Sequence, residues 1–344
     1  MTKLSISAGH DVIALIAHQL GYMPEESIVL LTMNGATVGA TLRVDVPGTG
    51  HDVKDYAVRL CTYLLTDGDA DGALFAVFTN REGADGAHPY AEHVEALMQE
   101  LNNAGLPVKS GWLVTGEGWT DYLCVQECCT TLKPLEQVRD SLVNAELIFR
   151  GSPYSTDTVP VFPAYTGTAS TEDTITAKAE ELHVVDPHDA TAEPLRSARA
   201  LWETALTGGA DRDTGVELVA YLQNTAIRDR LLADLLNTDD DRDAYGQTQL
   251  GQCTTVPTWE RADAGETLLT GLLAVAGTAH RAPLLTGLGW ISWTKGRGKP
   301  ADTYLRHGLE ARPGYRLAVL LNELMNRGII APVAKNRATA YRRS

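Results

Sequence analysis

Aromatic residues make up only 6% of this 344-residue chain, with four phenylalanines, and no apolar run approaches the roughly 18 residues needed to cross a bilayer. The opening Met1-Thr-Lys-Leu-Ser5 lacks the basic-then-apolar plan of a signal peptide. These absences argue against a membrane partner and point to a cytoplasmic protein. Cysteine is also scarce: five residues, an odd number unevenly spread, do not make a disulfide framework and suit a reducing compartment. Complete catalytic and nucleotide-binding signatures are missing too. Gly48-Thr-Gly50 sits between a strand-like and a helix-like run, but Val53 stands where a dinucleotide fingerprint needs its third glycine. Asp67-Gly-Asp69-Ala-Asp71-Gly72 begins like a calcium loop, yet its twelfth position is Phe78, so it reads as a solvated turn. His88 and His93 are five apart, which does not align two ligands on one helical face.

What is present suffices for two domains. With 44% hydrophobic residues, each half can bury its own core without metal or disulfide. The net charge of −15 conceals an asymmetry: residues 281–344 hold 12 Lys and Arg against 3 Asp and Glu, a local +9, which leaves −24 on residues 1–280. An acidic body with a basic end invites docking between copies or onto a protein partner; nucleic acid is possible but disfavoured, because the body repels phosphates.

In the first half, Val12, Ile13, Leu15, Ile16 and Leu20 predict a helix closed by Gly21 and Pro24. A run from Ser27 to Met33, then Asn34-Gly35, then an alternating stretch predicts a β-hairpin. Strict alternation sets Val38, Ala40, Leu42, Val44 and Val46 on one face and Thr37, Thr41, Arg43 and Asp45 on the other. Glu25, Ser27, Arg43 and Asp45 are the residues to test as a polar cleft. Val53, Tyr56, Ala57, Leu60, Cys61 and Leu64 predict an amphipathic helix over 52–66, followed by a strand at 73–78, a helix after His88-Pro89, and a strand at 108–114. This succession predicts an α/β domain over residues 1–150, with a mixed sheet, a hairpin and crossover helices.

Three cysteines fall within six residues, at Cys124, Cys128 and Cys129. On a helix Cys124 and Cys128 share a face, so this corner is a candidate zinc or iron–sulfur ligand set lacking a fourth ligand. Buried thiols are the plainer alternative, in which case no cofactor is expected.

The segments Asp11-Val-Ile-Ala14, Leu20-Gly-Tyr22-Met-Pro24-Glu25-Glu-Ser27-Ile-Val-Leu30, Arg43-Val-Asp45-Val-Pro47 and Tyr122-Leu-Cys124 with Cys128-Cys129, joined by Trp290-x-x-Trp293 and Arg312-Pro313-Gly-Tyr315-Arg-Leu-Ala318, together cover nearly the whole chain. In these the chain resembles the actinobacterial domain-of-unknown-function family numbered four-one-nine-two. The resemblance implies an actinobacterial or actinophage source and no established activity. Thr130-Thr131 stands where relatives commonly carry a proline after the paired cysteines.

Residues 151–171 are rich in Pro, Ser, Thr and Gly and read as a linker. Beyond it the pattern predicts a helical domain over 172–330, with helices at 172–183, 191–207, 213–236, 259–278, 282–294, 299–310 and 314–327, then a basic, mobile tail at 331–344. Asp239 to Asp243 reads as a solvated turn. Leu288, Gly289, Ala301, Leu305, Gly308 and Pro313 stand at the spacings of one tetratricopeptide-like helix pair. Trp290, Trp293, Arg297, Lys299, Tyr304 and Arg312 place aromatics among cations and are candidate partner-binding residues.

From the sequence alone the function is unknown. The first expectation is a non-catalytic interaction protein that meets a protein partner or its own copy. The alternatives are an enzyme with a site between the domains, and a nucleic-acid contact through the basic end.

Overall fold

The computed structural model describes residues 6, 8–48, 50, 52–84, 87–124, 131–150, 162–182, 186–189, 192–253 and 255–341. The chain divides into two compact units, one up to Thr158 and one from Val159 to Arg342.

The first unit is a five-stranded mixed sheet between two helical layers. Its strands are β1 (Ser27–Asn34), β2 (Thr37–Asp45), β3 (Gly72–Phe78), β4 (Val108–Val114) and β5 (Trp119–Asp121), in the order β2-β1-β3-β4-β5. Only β3 and β4 run parallel; the other neighbours are antiparallel. β1 and β3 are almost wholly apolar because both of their faces are covered. Ile28, Leu30, Phe75 and Val77 point into a core shared with α2 (Val53–Leu64) and α3 (Ala91–Asn103). Val29, Leu31, Leu74, Ala76 and Phe78 point into a second core under α1 (Gly9–Leu20), α4 (Glu136–Arg139) and α5 (Leu142–Phe149). Full burial of side chains of this size contributes roughly 1.5–3 kcal/mol each, which makes these two strands the thermodynamic centre of the unit. α1 ends where expected, on Gly21 at φ 83°. The hairpin turns at Asn34-Gly35, with Gly35 at φ 57°.

The strict alternation expected for β2 fails at one point. Pairing with β1 shifts register between Leu31 and Met33, so that Gly39 and Ala40 together oppose Thr32. This β-bulge turns Val38 into the α1-side core, whereas Leu42, Val44 and Val46 pack toward α2 and α3. Thr32 and Asp67 make the bulge: the Ala40 N–H donates to Thr32 Oγ1 at 2.7 Å and to Asp67 Oδ2 at 3.2 Å. A Cβ on Gly39 would lie 2.5 Å from both of those side-chain oxygens, so only glycine fits there.

From α6 onward the elements are helical: α6 (Ala169–Glu181), α7 (Glu193–Gly208), α8 (Arg212–Gln223), α9 (Thr225–Asp234), α10 (Arg242–Gln249), α11 (Trp259–Leu272), α12 (Arg281–Thr294), α13 (Gly298–Ala311), α14 (Arg316–Asn326) and α15 (Pro332–Lys335). α12 is buried from Ala282 to Thr294 and forms the axis of the unit. α12 and α13 pack antiparallel through small residues. A Cβ on Gly289 would meet Leu305 at 2.8 Å, and one on Gly308 would meet Thr286 at 3.3 Å.

Several expectations for this half are corrected. The predicted helix 213–236 is two helices, because the Asn224 side chain accepts from the amides of Ala226 and Ile227 and caps a new start. α10 was not foreseen; Asp241 caps it. The Asp239–Asp243 turn is not merely solvated, since Asp240 binds Arg199 and Arg230 at 2.9 and 2.6 Å. Residues 162–171, assigned to a linker, pack on the helical unit: the Thr166 amide donates to the Ala274 carbonyl at 2.7 Å, and α6 already begins at Ala169. Residues 151–161 lie outside the described residues.

The C-terminal segment also has an apolar side after all. Ala331 and Val333 are buried, the Val333 amide donates to the Gly251 carbonyl at 2.8 Å, and Trp259 Nε1 donates to the Thr339 carbonyl at 3.0 Å. The spacing of small and aromatic residues at 331–341 gave no periodic stripe, because α15 is only one turn long and the rest packs as turns.

Candidate partner-binding edge

β2 is an edge strand, and among the described residues no strand pairs with its outer side. The direction of its backbone groups follows from one hydrogen bond. The Val46 amide donates to the Glu26 carbonyl at 3.1 Å, which continues the β1–β2 ladder past Ser27 and Asp45. In an antiparallel ladder hydrogen-bonded and non-hydrogen-bonded pairs alternate, so Leu42 and Val44 exchange bonds with β1 while Thr41, Arg43 and Asp45 turn their N–H and C=O outward. The outward Asp45 carbonyl accepts from the Tyr56 hydroxyl at 3.0 Å. The backbone groups of Thr41 and Arg43 therefore form the open part of the edge.

The four polar residues singled out from the sequence meet at the end of this strand. Arg43 Nε donates to Ser27 Oγ at 2.9 Å, and Nη2 reaches the Asp45 carboxylate at 2.6 Å and the Glu25 carbonyl at 3.5 Å. Ser27 Oγ also donates to the Glu25 carbonyl. Glu25 thus takes part through its backbone; its side chain is on the exposed surface. With its side chain only 10% exposed, Arg43 is a clamp that fixes the edge to β1. Two aspartates of the calcium-like segment serve the hairpin as well: Asp67 accepts from Thr32 and Ala40, and Asp71 accepts from the Gly35 amide at 2.7 Å and pairs with Lys109 at 2.8 Å. Hydrogen bonds from Lys109 and Gly35 hold the Asp71 carboxyl below its ordinary range.

Sequence reasoning missed the residues that flank the clamp. Tyr22 is buried and its phenol is pushed up by burial, with Arg43 opposing and Asp45 adding to the rise. Burial likewise raises the Tyr56 phenol well above its ordinary range, again with Asp45 adding and Arg43 opposing. The Tyr56 ring stands edge-on to His93, with centroids 5.7 Å apart. His93 Nε2 and Tyr90 Oη are buried atoms without a hydrogen-bond partner. Among the described residues two that are not glycine take left-handed backbone, Glu26 at φ 38° and Tyr90 at φ 63°. Glu26 is held there by its carboxylate, which accepts from Thr79 Oγ1 at 2.8 Å and from the Asn80 amide at 3.3 Å.

The cysteine corner is only partly visible. Cys124 is half-buried, with its amide donating to Asp121 Oδ1 at 2.9 Å, while Cys128 and Cys129 lie outside the described residues. Among the described residues no three His, Cys, Asp or Glu side chains converge as a metal site. Cys61 is a core thiol on α2, and burial raises it, as burial raises Cys253.

Of the six residues proposed for partner contact, the three aromatics are interior and the three basic residues are not. Trp290 and Trp293 are 3% and 5% exposed and donate to the carbonyls of Gln249 and Ile329 at 3.1 and 3.0 Å. Tyr304 is buried, and burial pushes its phenol up to about 12. Arg297 pairs with Glu266 at 2.5 Å. Lys299 is half-buried, and Arg312 lies exposed over the Tyr315 ring at 5.6 Å. Helical spacing of aromatics states that they share a face, not whether the face is turned inward.

Among the described residues no helix is long and apolar enough to cross a membrane. No curated protein and no solved structure matches this chain. The family profile of a domain of unknown function, DUF4192, matches residues 10–331. The chain belongs to the DUF4192 family.

Proposed function

We propose that this protein is a non-catalytic, cytoplasmic interaction protein that works by strand addition at the outer edge of β2, and that the strand it adds is β2 of a second copy. The observation that carries the reading is the pairing direction of the hairpin, which leaves the N–H and C=O groups of Thr41 and Arg43 facing outward on a strand already fixed in place. An edge held by Arg43, Ser27, Tyr56, Thr32 and Asp67 loses little conformational freedom when a strand pairs with it, and edge pairing satisfies backbone groups that otherwise depend on water. β2 carries one cation and one anion, and Arg43 and Asp45 neutralise each other within the chain, so two such edges meet without like-charge repulsion between them. At physiological salt the repulsion between two acidic bodies is screened beyond a Debye length of about 8 Å.

Sedimentation velocity over a concentration series tests this. Wild type is expected to dimerise; Thr41→Pro, which removes an outward donor without touching the β1 ladder, is expected to be monomeric; Thr41→Val, which keeps the donor, is expected to dimerise. A wild type that stays monomeric throughout, or a dimer indifferent to Thr41→Pro, refutes the reading.

A second reading, a polar ligand site or enzyme centre at this end of the sheet, is favoured by the two unpartnered buried atoms, His93 Nε2 and Tyr90 Oη. It predicts that His93→Ala and Tyr90→Phe leave dimerisation intact while changing a bound small molecule detected by native mass spectrometry. A nucleic-acid contact, the third reading, would rest on the cations of the basic end, since Trp290, Trp293 and Tyr304 are core and Arg297 is paired.

A further inference from the structure

The helical unit holds a cleft of about 540 Å³ between α7, α8 and α11. That volume falls within the roughly 300–1,000 Å³ range of small-molecule sites. Its floor is apolar and buried, made by Leu268, Leu272 and Val275, and its walls are small, with Ala205, Gly215 and Gly271 among them.

Glycine inside a helix lowers its stability relative to alanine, so each one calls for a cause. At Gly265 in α11 and Gly289 in α12 the cause is a neighbour: a Cβ on Gly265 would meet Leu235 at 2.6 Å, and one on Gly289 would meet Leu305 at 2.8 Å. Gly271 has no such neighbour, since its Cβ would find nothing within 4 Å, and a Cβ on Gly215 would make only ordinary contact with Leu272 and Val275 at 3.4 Å. Neither needs glycine for its backbone angle, as neither has positive φ. At Gly271, an exposed position on the cleft wall, the missing side chain leaves the hollow open, whereas Gly215 lies where α8 packs on Leu272 and Val275.

The rim carries a fixed cation. The Arg212 guanidinium donates to the Thr166 carbonyl at 3.3 Å and to Thr171 Oγ1 at 2.9 Å, and among the described residues it forms no ion pair. Asp211 shares the rim, but its carboxylate is engaged by the Thr214 amide at 2.9 Å as the cap of α8. An apolar hollow with one oriented, unpaired guanidinium at its mouth matches a ligand with an aliphatic body and an anionic head.

We propose that this cleft binds an aliphatic carboxylate, with the chain laid over Gly215, Gly271 and Leu272 and the carboxylate on Arg212. The test is titration calorimetry of the full chain with dodecanoate and with dodecanol, both below their aggregation concentrations, alongside thermal unfolding. Wild type is expected to bind dodecanoate at least tenfold more tightly than dodecanol, and Arg212→Gln to erase that preference. Gly271→Leu fills the hollow and is expected to abolish binding of both while unfolding at the same or a higher temperature; Gly271→Ala, a smaller filler, is expected to weaken both. No binding of dodecanoate to wild type, binding indifferent to Gly271→Leu, or equal affinity for the two head groups overturns the proposal.

Discussion

The two units use their polar residues in opposite ways. In the helical unit, charges brace the interior: Arg230, with a side chain 2% exposed, binds Asp234 and Asp240 at 2.9 and 2.6 Å, Arg199 joins Asp234 at 2.8 Å, and the fully buried Lys295 ammonium lies between Asp263 and Glu266 at 2.5 and 2.7 Å. In the α/β unit, the polar residues gather instead around one strand at the border of the sheet, where Arg43, Ser27, Asp67, Asp71 and Tyr56 fasten β2. The cause is backbone chemistry. A helix satisfies its own N–H and C=O groups except at its ends, so side chains there are free to tie one helix to the next. A sheet satisfies them only across strands, and its last strand is left with a row that must meet water, a cover or a partner. The helical unit therefore ties its helices together with side chains, and the α/β unit is left with a backbone edge.

The largest effect expected from this contrast is at Asp234. Asp234→Ala leaves the buried Arg230 with one carboxylate, the exposed Asp240, beside the Asp239 carbonyl and should destabilise the helical unit by about 3–5 kcal/mol in urea unfolding. A loss under about 1 kcal/mol would mean that the charges decorate the interior rather than brace it. The matching change in the other unit is Gly39→Val. It forces atoms against Thr32 and Asp67, should cost about 1–3 kcal/mol, and should free the Ala40 amide to exchange; a variant as stable as wild type would separate the bulge from the fastening of the edge. Asn224→Ala removes the cap between α8 and α9 and should cost about 1 kcal/mol by thermal unfolding.

The smallest effect is on pH dependence. Burial by itself raises the Glu172 carboxyl, but hydrogen bonds from His280, the Gly277 amide and Tyr165 outweigh it and hold the group below its ordinary value of 4.5. A carboxyl depressed in the folded state adds stability that is complete above its unfolded value and is lost as pH falls through its folded value. Glu172→Gln should thus be less stable than wild type at neutral pH and lose less on acidification below 4.5. Parallel acid unfolding curves for the two proteins would remove Glu172 from the account.

Much of the fold was legible wherever local chemistry decides it. Gly21 ends α1, Asn34-Gly35 turns the hairpin, and the run from Val108 to Val114 is β4 over the expected residues. Legibility failed where a distant side chain intervened. The bulge at Gly39 depends on Asp67, which is remote in sequence, although a glycine inside an alternating strand was itself a bulge signal. The break at Asn224 was hidden because apolar spacing continues through it, and α10 because it is short and largely polar. Part of the candidate site could be read: Glu25, Ser27, Arg43 and Asp45 were singled out together, and the Arg43 guanidinium touches Ser27, Asp45 and the Glu25 carbonyl. That β2 lies at the border of the sheet is a matter of strand order, which no residue on β2 encodes.

Residue-resolved amide exchange of Thr41 and Arg43, followed from dilute to concentrated protein, tests the central claim most directly. The β2 edge predicts fast exchange at both amides in dilute protein and slow exchange once copies associate, with Leu42 and Val44 slow throughout. Exchange at Thr41 and Arg43 that stays fast at every concentration, or is as slow as at Leu42 even when dilute, would contradict strand addition at this edge.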